Sequence, residues 1–128
     1  MKQMARNPSD GIYAAMPDYV HALEVQGPSR WLYIAGTMGL DEAGVAPATL
    51  EEQLDLIWRN LNRILVEADM TTDNIVRITS YLTDPAFAEA NGAAREKALG
   101  THRVPTTAIV TQTLDPTWLV EIEAIAAA

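Results

Sequence analysis

The final stretch of the chain, Trp118-Leu119-Val120-Glu121-Ile122-Glu123-Ala124-Ile125-Ala126, constrains the fold more than any other segment. As a strand, it sends successive side chains to opposite faces. Val120, Ile122 and Ala124 then share one face, and Glu121 and Glu123 share the other. The apolar face belongs against a core. The acidic face has two fates open to it. Either it is a solvated edge, as in many half-buried strands, or it is covered, and the carboxylates then need partners, because Asp and Glu are rarely buried unpaired.

Upstream of that strand the pattern gives the order β-β-β-α-β-α-β-β. Met1 to Arg6 reads as a short edge strand, ended by the turn cluster Asn7-Pro8-Ser9-Asp10-Gly11. Tyr19 to Val25 and Arg30 to Ala35 read as strands joined in a hairpin through Gln26-Gly27-Pro28-Ser29. Thr49-Leu50-Glu51-Glu52 matches a capping box, and Leu50, Leu54, Ile57, Leu61, Ile64 or Leu65, and Ala68 follow at three- and four-residue steps. Asn74 to Thr83 is a strand with Val76, Ile78 and Leu82 on one face and Arg77, Thr79 and Tyr81 on the other. Asp84-Pro85 starts a second helix with Phe87, Asn91, Ala94 and Ala98 as its inward stripe. Thr106 to Thr113 and Trp118 to Ala126 are the last two strands.

Nothing in this order suggests a linker or a repeat, so residues 1–128 are expected to form a single α+β domain. Two helices cannot cover both faces of such a sheet and belong on one. The other face would carry Trp31, Tyr33, Arg77, Tyr81, Glu121 and Glu123. It is too aromatic for water and too polar for an ordinary core, which predicts burial against other copies of the chain.

Composition excludes several functions. There is no cysteine, which removes disulfides, thiolate metal sites and thiol nucleophiles. With only two histidines, His21 and His102, a multi-histidine metal centre is unavailable. The net charge of −8, from 17 acidic and 9 basic residues, opposes binding to nucleic acid or anionic membranes. No apolar run approaches the length of a membrane span, and Met1 to Pro8 lacks the apolar core of a signal peptide, so a cytoplasmic location is expected.

Four places carry candidate chemistry. Asn91 stands on an apolar helical stripe, either as a structural amide or as a ligand contact. Glu121 is either an acid–base group or one half of an ion pair with Arg77 or Arg103, the pairing being slightly favoured by residue type. Gly36-Thr37-Met38-Gly39 could offer backbone N–H groups to an anion, although a strand-ending turn is the simpler reading. His21 reads as a satisfied structural histidine.

Together, Arg6-Asn7-Pro8, Tyr19, Tyr33-Ile34-Ala35-Gly36, Glu52-Gln53, Asn60-Leu61, Asn91 and the closing Val120 to Ala126 resemble the RidA/YjgF family, also called Rid or L-PSP proteins. The resemblance covers essentially the whole chain, and the ending is its most specific part. It implies a chorismate-mutase-like α+β fold, a mixed six-stranded sheet with two helices on one face. It further implies a homotrimer with small-molecule clefts between subunits and no metal or cofactor. Well-known members hydrolyse enamines and imines such as 2-aminoacrylate to ketoacids and ammonia; relatives deaminate aminomuconate, and some are described as ribonucleases or translation inhibitors.

By the same resemblance Tyr19 and Asn91 line the cleft and Glu121 positions the hydrolytic water. Gly36 matches the glycine of a Gly-Gln pair in which Thr37 replaces the glutamine. The main departure follows Pro105. Typical active members place a carboxylate-clamping arginine two residues after this proline, where this chain has Thr107, or Thr106 if the alignment slides by one. A threonine lacks the planar fork that grips a carboxylate, a loss on the order of 1.5–3 kcal/mol of binding. Arg103 is the nearby candidate to compensate. The expectation is an enamine or imine deaminase acting on a substrate other than 2-aminoacrylate, with Thr106 or Thr107 and the Gly36 backbone holding it. The alternative is a non-catalytic small-molecule-binding or regulatory trimer.

Overall fold

Helix α1 (Leu50–Glu67) forms where the capping signal places it, and the computed structural model describes it within the whole chain, residues 1–128. Thr49 Oγ1 accepts the Glu52 N–H at 3.2 Å, which satisfies one of the orphan donors of the first turn. The reciprocal Glu52 bond of the full capping box is not formed. The ambiguity between Ile64 and Leu65 resolves physically: Leu65 is buried with Leu54, Ile57, Trp58 and Leu61, while Ile64 stays exposed. Each of these buried side chains contributes roughly 1.5–3 kcal/mol relative to exposure. The last turn of α1 has no basic residue of its own, and Arg30 Nη1 supplies the cation by donating to the Ala68 carbonyl at 2.7 Å.

Six strands accompany the helices: β1 (Lys2–Ala5), β2 (Leu23–Gln26), β3 (Trp31–Met38), β4 (Ile75–Leu82), β5 (Thr106–Val110) and β6 (Val120–Ala127). They divide into two sheets. β1 and β2 form an antiparallel pair, and β3-β6-β4-β5 form a four-stranded mixed sheet in which only β4 and β5 run parallel. The hairpin between the second and third strands does not form. The second strand starts at Leu23, not Tyr19, and pairs with β1, a register extended by Arg6 N–H donating to the Ala22 carbonyl. The third strand pairs instead with the C-terminal strand, so the turn at Gly27 redirects the chain between sheets.

The second helix, α2 (Ala88–Leu99), follows a 3-10 turn, Pro85–Phe87, capped by Asp84, whose Oδ1 accepts the Ala86 N–H at 2.8 Å. Its buried residues are Asn91, Arg95 and Leu99, with Ala94 and Ala98 only partly covered, so the inward stripe is more polar than the sequence suggests. Both helices lie over the β6 face that presents Val120, Ile122 and Ala124, and these residues join one core with Leu54, Ile57, Leu61 and Leu65. The opposite face carries Trp31, Tyr33, Arg77, Tyr81, Glu121 and Glu123, in agreement with the alternation. Trp31 is 49% exposed and Tyr33 74% exposed within one chain. No helix is long and apolar enough to cross a membrane.

Candidate functional site

The two glutamates of β6 occupy the same face but have different partners. Glu123 accepts a hydrogen bond from the Tyr81 hydroxyl. That bond holds the phenolic proton and pushes the Tyr81 pKa above its ordinary value, with burial and the charges of Glu123 and Glu121 adding to it. Glu121 has no hydrogen bond and no ion pair within the chain. The ion pair with Arg77 or Arg103 that residue types slightly favoured is therefore absent. Arg77 turns to Thr107, and Arg103 is occupied elsewhere.

Glu121 lodges against Gly36. A Cβ at position 36 would collide with Glu121 Oε2 and sit 3.0 Å from its Cδ. The β3–β6 register slips between Ile34 and Thr37, so β3 bulges where the carboxylate arrives. Thr37 Oγ1 donates back to the Ala35 carbonyl at 2.9 Å, tying its hydroxyl to the bulge. On its other flank Glu121 lines a groove of about 270 Å³ together with Tyr81, Ile109, Thr111, Gln112, Thr113 and Leu114.

Local hydrogen bonds set the groove wall. Asp115 Oδ1 accepts from the Thr117 N–H at 2.8 Å and its hydroxyl at 2.6 Å, which holds the Asp115 carboxyl below the usual range. Thr113 Oγ1 contacts the Asp115 and Trp118 carbonyls at 2.8 and 2.7 Å. The entry to β6 is pinned from α1 by Gln53, which is 1% exposed. Its amide donates to the Pro47 and Thr117 carbonyls at 2.9 and 2.8 Å and accepts the Leu119 N–H at 2.9 Å. Sequence reasoning gave Gln53 no role. The available signal was an amide on the same helical side as Leu54 and Ile57. Gly39 lets this helix come close: a Cβ there would lie 2.6 Å from Gln53 Cα.

The other candidates lie elsewhere in a single chain. Tyr19 sits in the loop before β2, edge-on to His21 with ring centroids 6.1 Å apart. His21 is structurally satisfied, its Nε2 2.7 Å from the Tyr13 carbonyl and its N–H donated to Asn7 Oδ1. Asn91 is 1% exposed on the core side of α2, across the sheet from Glu121, with Oδ1 unpartnered. Arg103 donates to the Pro17 carbonyl at 2.9 Å and the Gly100 carbonyl at 2.7 Å, so it staples the turn before Tyr19. Arg95 Nη2 grips Asp18, a partly buried pair missed in the sequence because its partners are 77 residues apart. Thr106 Oγ1 bonds the Val104 carbonyl at 3.2 Å, and Thr107 Oγ1 accepts from Arg77 Nη2 at 2.9 Å. One chain thus brings Glu121 to Gly36 but does not bring Tyr19, Asn91 or Arg103 to the same groove.

Comparisons with known proteins agree with this architecture. The family model described as Endoribonuclease L-PSP matches residues 11–128. A RutC family protein of Aquifex aeolicus (strain VF5) is 39% identical over 75 residues, which cover 57% of this chain and 58% of that protein. The matched stretch spans little more than half the length of that curated relative. Among solved structures, a Rid-family protein of unknown function from Yersinia pestis is 28% identical with a TM-score of 0.83, covering 100% of both chains. A member of the YjgF family from Mycobacterium tuberculosis is 30% identical with a TM-score of 0.69 over 86% of each chain. With a family match over residues 11–128 and whole-length agreement in fold, this chain belongs to the endoribonuclease L-PSP, or Rid/YjgF, family.

Proposed function

We propose that the chain hydrolyses small imines and enamines to carbonyl compounds and ammonia, with Glu121 as the acid–base group. The observation that carries this reading is the free carboxylate: Glu121 borders an open groove with no partner, while the neighbouring Glu123 is taken by Tyr81. A carboxylate in that state can remove a proton from water as the oxygen attacks the imine carbon. Glu121 passes that proton to the nitrogen, which gives the neutral carbinolamine; in a second transfer it takes the hydroxyl proton and delivers it to the nitrogen as the carbonyl forms, the C–N bond breaks, and ammonia leaves. Gly36 gives the carboxylate its room.

In this reading copies of the chain assemble, as a homotrimer, over the mixed sheet face, close the groove and bring Tyr19 nearer to it. The exposed Trp31 and Tyr33, and the β5 edge with Ile109 and Val110 about half exposed, are the surfaces that support assembly. The test is ammonia release from imines generated freshly by an amino-acid oxidase, spanning acidic, apolar and aromatic side chains. Acceleration lost in Glu121→Gln, with the oligomer intact by light scattering, supports the proposal. No acceleration across the panel sinks it and favours a ligand-binding trimer, the reading supported by Thr107 standing where the carboxylate-clamping arginine is expected. Ribonuclease activity is opposed by the net charge of −8.

A further inference from the structure

The groove bordered by Glu121 carries an acid and no base. We infer that its substrates are imines without a carboxylate, aldimines of the kind left by oxidation of primary amines, taken up neutral or as the protonated iminium. This rests on the reading of the Glu121 groove as a substrate site.

Strand register sets the lining. Tyr81 pairs with Glu121 across β4 and β6 and with Ile109 across β4 and β5, so the three form one row on the same face. Past the end of β5 the wall continues through Thr111, Gln112, Thr113 and Leu114. Glu121 is the one charged side chain among these residues. The others offer hydroxyls, one amide and the apolar surfaces of Ile109 and Leu114, which are 47% and 96% exposed. A carboxylate entering here meets a like charge and finds neither a guanidinium nor an ammonium to offset it.

The rest of the face does not reverse the sign. Its one basic residue is Arg77, set against Glu121 and Glu123. Arg77 starts four residues from Tyr81 along β4, roughly 13 Å away. It opens on a separate cavity of about 220 Å³ with Tyr33, Thr79 and Glu123, and its Nη2 donates to Thr107. Arg103 is held by the Pro17 and Gly100 carbonyls, and Arg95 by Asp18. Tyr81 registers the resulting field: its proton is held by the bond to Glu123 and by burial, and the charges of Glu123 and Glu121 add to that hold. Closure of the groove by further copies brings more acid than base, since each chain has 17 acidic and 9 basic residues.

A carboxylate-free imine suits this field. The anionic Glu121 that accepts the water proton also favours the protonated imine, the more electrophilic form. The chemistry balances without another reactant: R–CH=NH2+ and water become R–CHO and ammonium. Water adds to the iminium carbon as Glu121 takes a water proton, which gives the neutral carbinolamine directly. The second transfer then proceeds as for the neutral imine, and ammonium leaves with the extra proton. The alkyl or aryl part of the substrate lies against Ile109 and Leu114.

Two matched comparisons test this. 2-Oxobutyrate and 2-oxobutyramide differ by one charge at nearly equal shape, and each is titrated calorimetrically into the assembled wild type, Gln112→Arg and Leu114→Arg. A like charge about 4 Å from Glu121 costs about fivefold in a watery groove and several hundredfold in a closed one, so wild type should bind the amide at least about tenfold more tightly. Either arginine variant puts a cation in the wall and should tighten 2-oxobutyrate by about tenfold or more, leaving the amide within about twofold. Both positions are exposed, so the variants should fold, which far-UV circular dichroism checks. The kinetic comparison gives wild type the aldimine made from butylamine by an amine oxidase and the 2-imino acid made from norvaline by an amino-acid oxidase. Acceleration over the uncatalysed rate should be at least about tenfold greater for the aldimine. The inference is overturned if 2-oxobutyrate binds as tightly as the amide, if neither probe binds, or if both arginine variants leave 2-oxobutyrate unmoved. Equal acceleration of the two imines also overturns it, while leaving the hydrolase standing. Preference for the amide with acceleration of neither imine would sustain the charge selectivity and reject the hydrolase.

Discussion

Gly36→Ala and Gly39→Ala are the same substitution three residues apart, and the structure predicts opposite consequences for them. At position 36 the new methyl meets only the far end of Glu121, with Cδ at 3.0 Å and Cγ at 3.2 Å. That side chain can rotate away, at a cost of about 0.5–1.5 kcal/mol if it leaves its preferred rotamer. Gly36 has no positive φ, so alanine adds no backbone strain and gains roughly 0.4–1 kcal/mol through the unfolded state. The net stability change should lie within about 1 kcal/mol of zero. Catalysis should not escape, since displacing a reacting group by about 1 Å can cost on the order of a hundredfold. At position 39 the methyl meets backbone: Gln53 Cα at 2.6 Å and its carbonyl carbon at 2.7 Å. Helix α1 must shift, an overpacking cost of about 1–3 kcal/mol, or roughly 4–12 °C in melting temperature for a domain of this size. Thermal unfolding paired with ammonia release from a good imine substrate reads both effects. Gly36→Ala melting as early as Gly39→Ala, or keeping full activity, would refute the placement of Glu121 against Gly36.

Three further outcomes follow from other contacts. Asp18→Asn leaves Arg95, whose side chain is 7% exposed, without its charge partner. It should cost about 1–3 kcal/mol in urea unfolding, less than a fully buried pair because Asp18 is 31% exposed. Gln53→Leu orphans the Pro47 and Thr117 carbonyls and the Leu119 N–H, so a loss of about 3 kcal/mol or more is expected from denaturant titration. The raised Tyr81 pKa has a definite sign: the bond to Glu123 holds the neutral phenol, so its stabilisation is intact below the ordinary tyrosine value of about 10 and is lost as pH rises through the raised one. Absorbance at 295 nm should show one late-titrating tyrosine that moves down in Glu123→Gln.

Local pattern carried the parts of this fold that depend on local physics. The alternation of Val120 to Ala124 and the stripe from Leu54 to Leu65 each commit one face to a core wherever the element packs, and both appear as expected. Strand partners are another matter. Nothing near Leu23 distinguishes Lys2–Ala5 from Trp31–Met38 as its neighbour; the choice is made by how well β3 pairs along β6, nearly the whole chain away. Arg95 was unreadable for the same reason, since an arginine on an alanine-rich helix is buried only because Asp18 comes to meet it. At the site, the contact of Glu121 with Gly36 could not be read either, because it depends on the β3–β6 register and its slip between Ile34 and Thr37. The direction of Arg77 could not be read, because it depends on Tyr81 claiming Glu123 first.

The central claim is that two glutamates two residues apart on one strand do different work. The direct measurement compares ammonia release by wild type, Glu121→Gln and Glu123→Gln on the same freshly generated imine, with assembly checked by light scattering. Glu121→Gln should lose nearly all acceleration over the uncatalysed rate while assembling normally, and Glu123→Gln should keep most of it. Equal losses in both, or full activity in Glu121→Gln, would contradict the account.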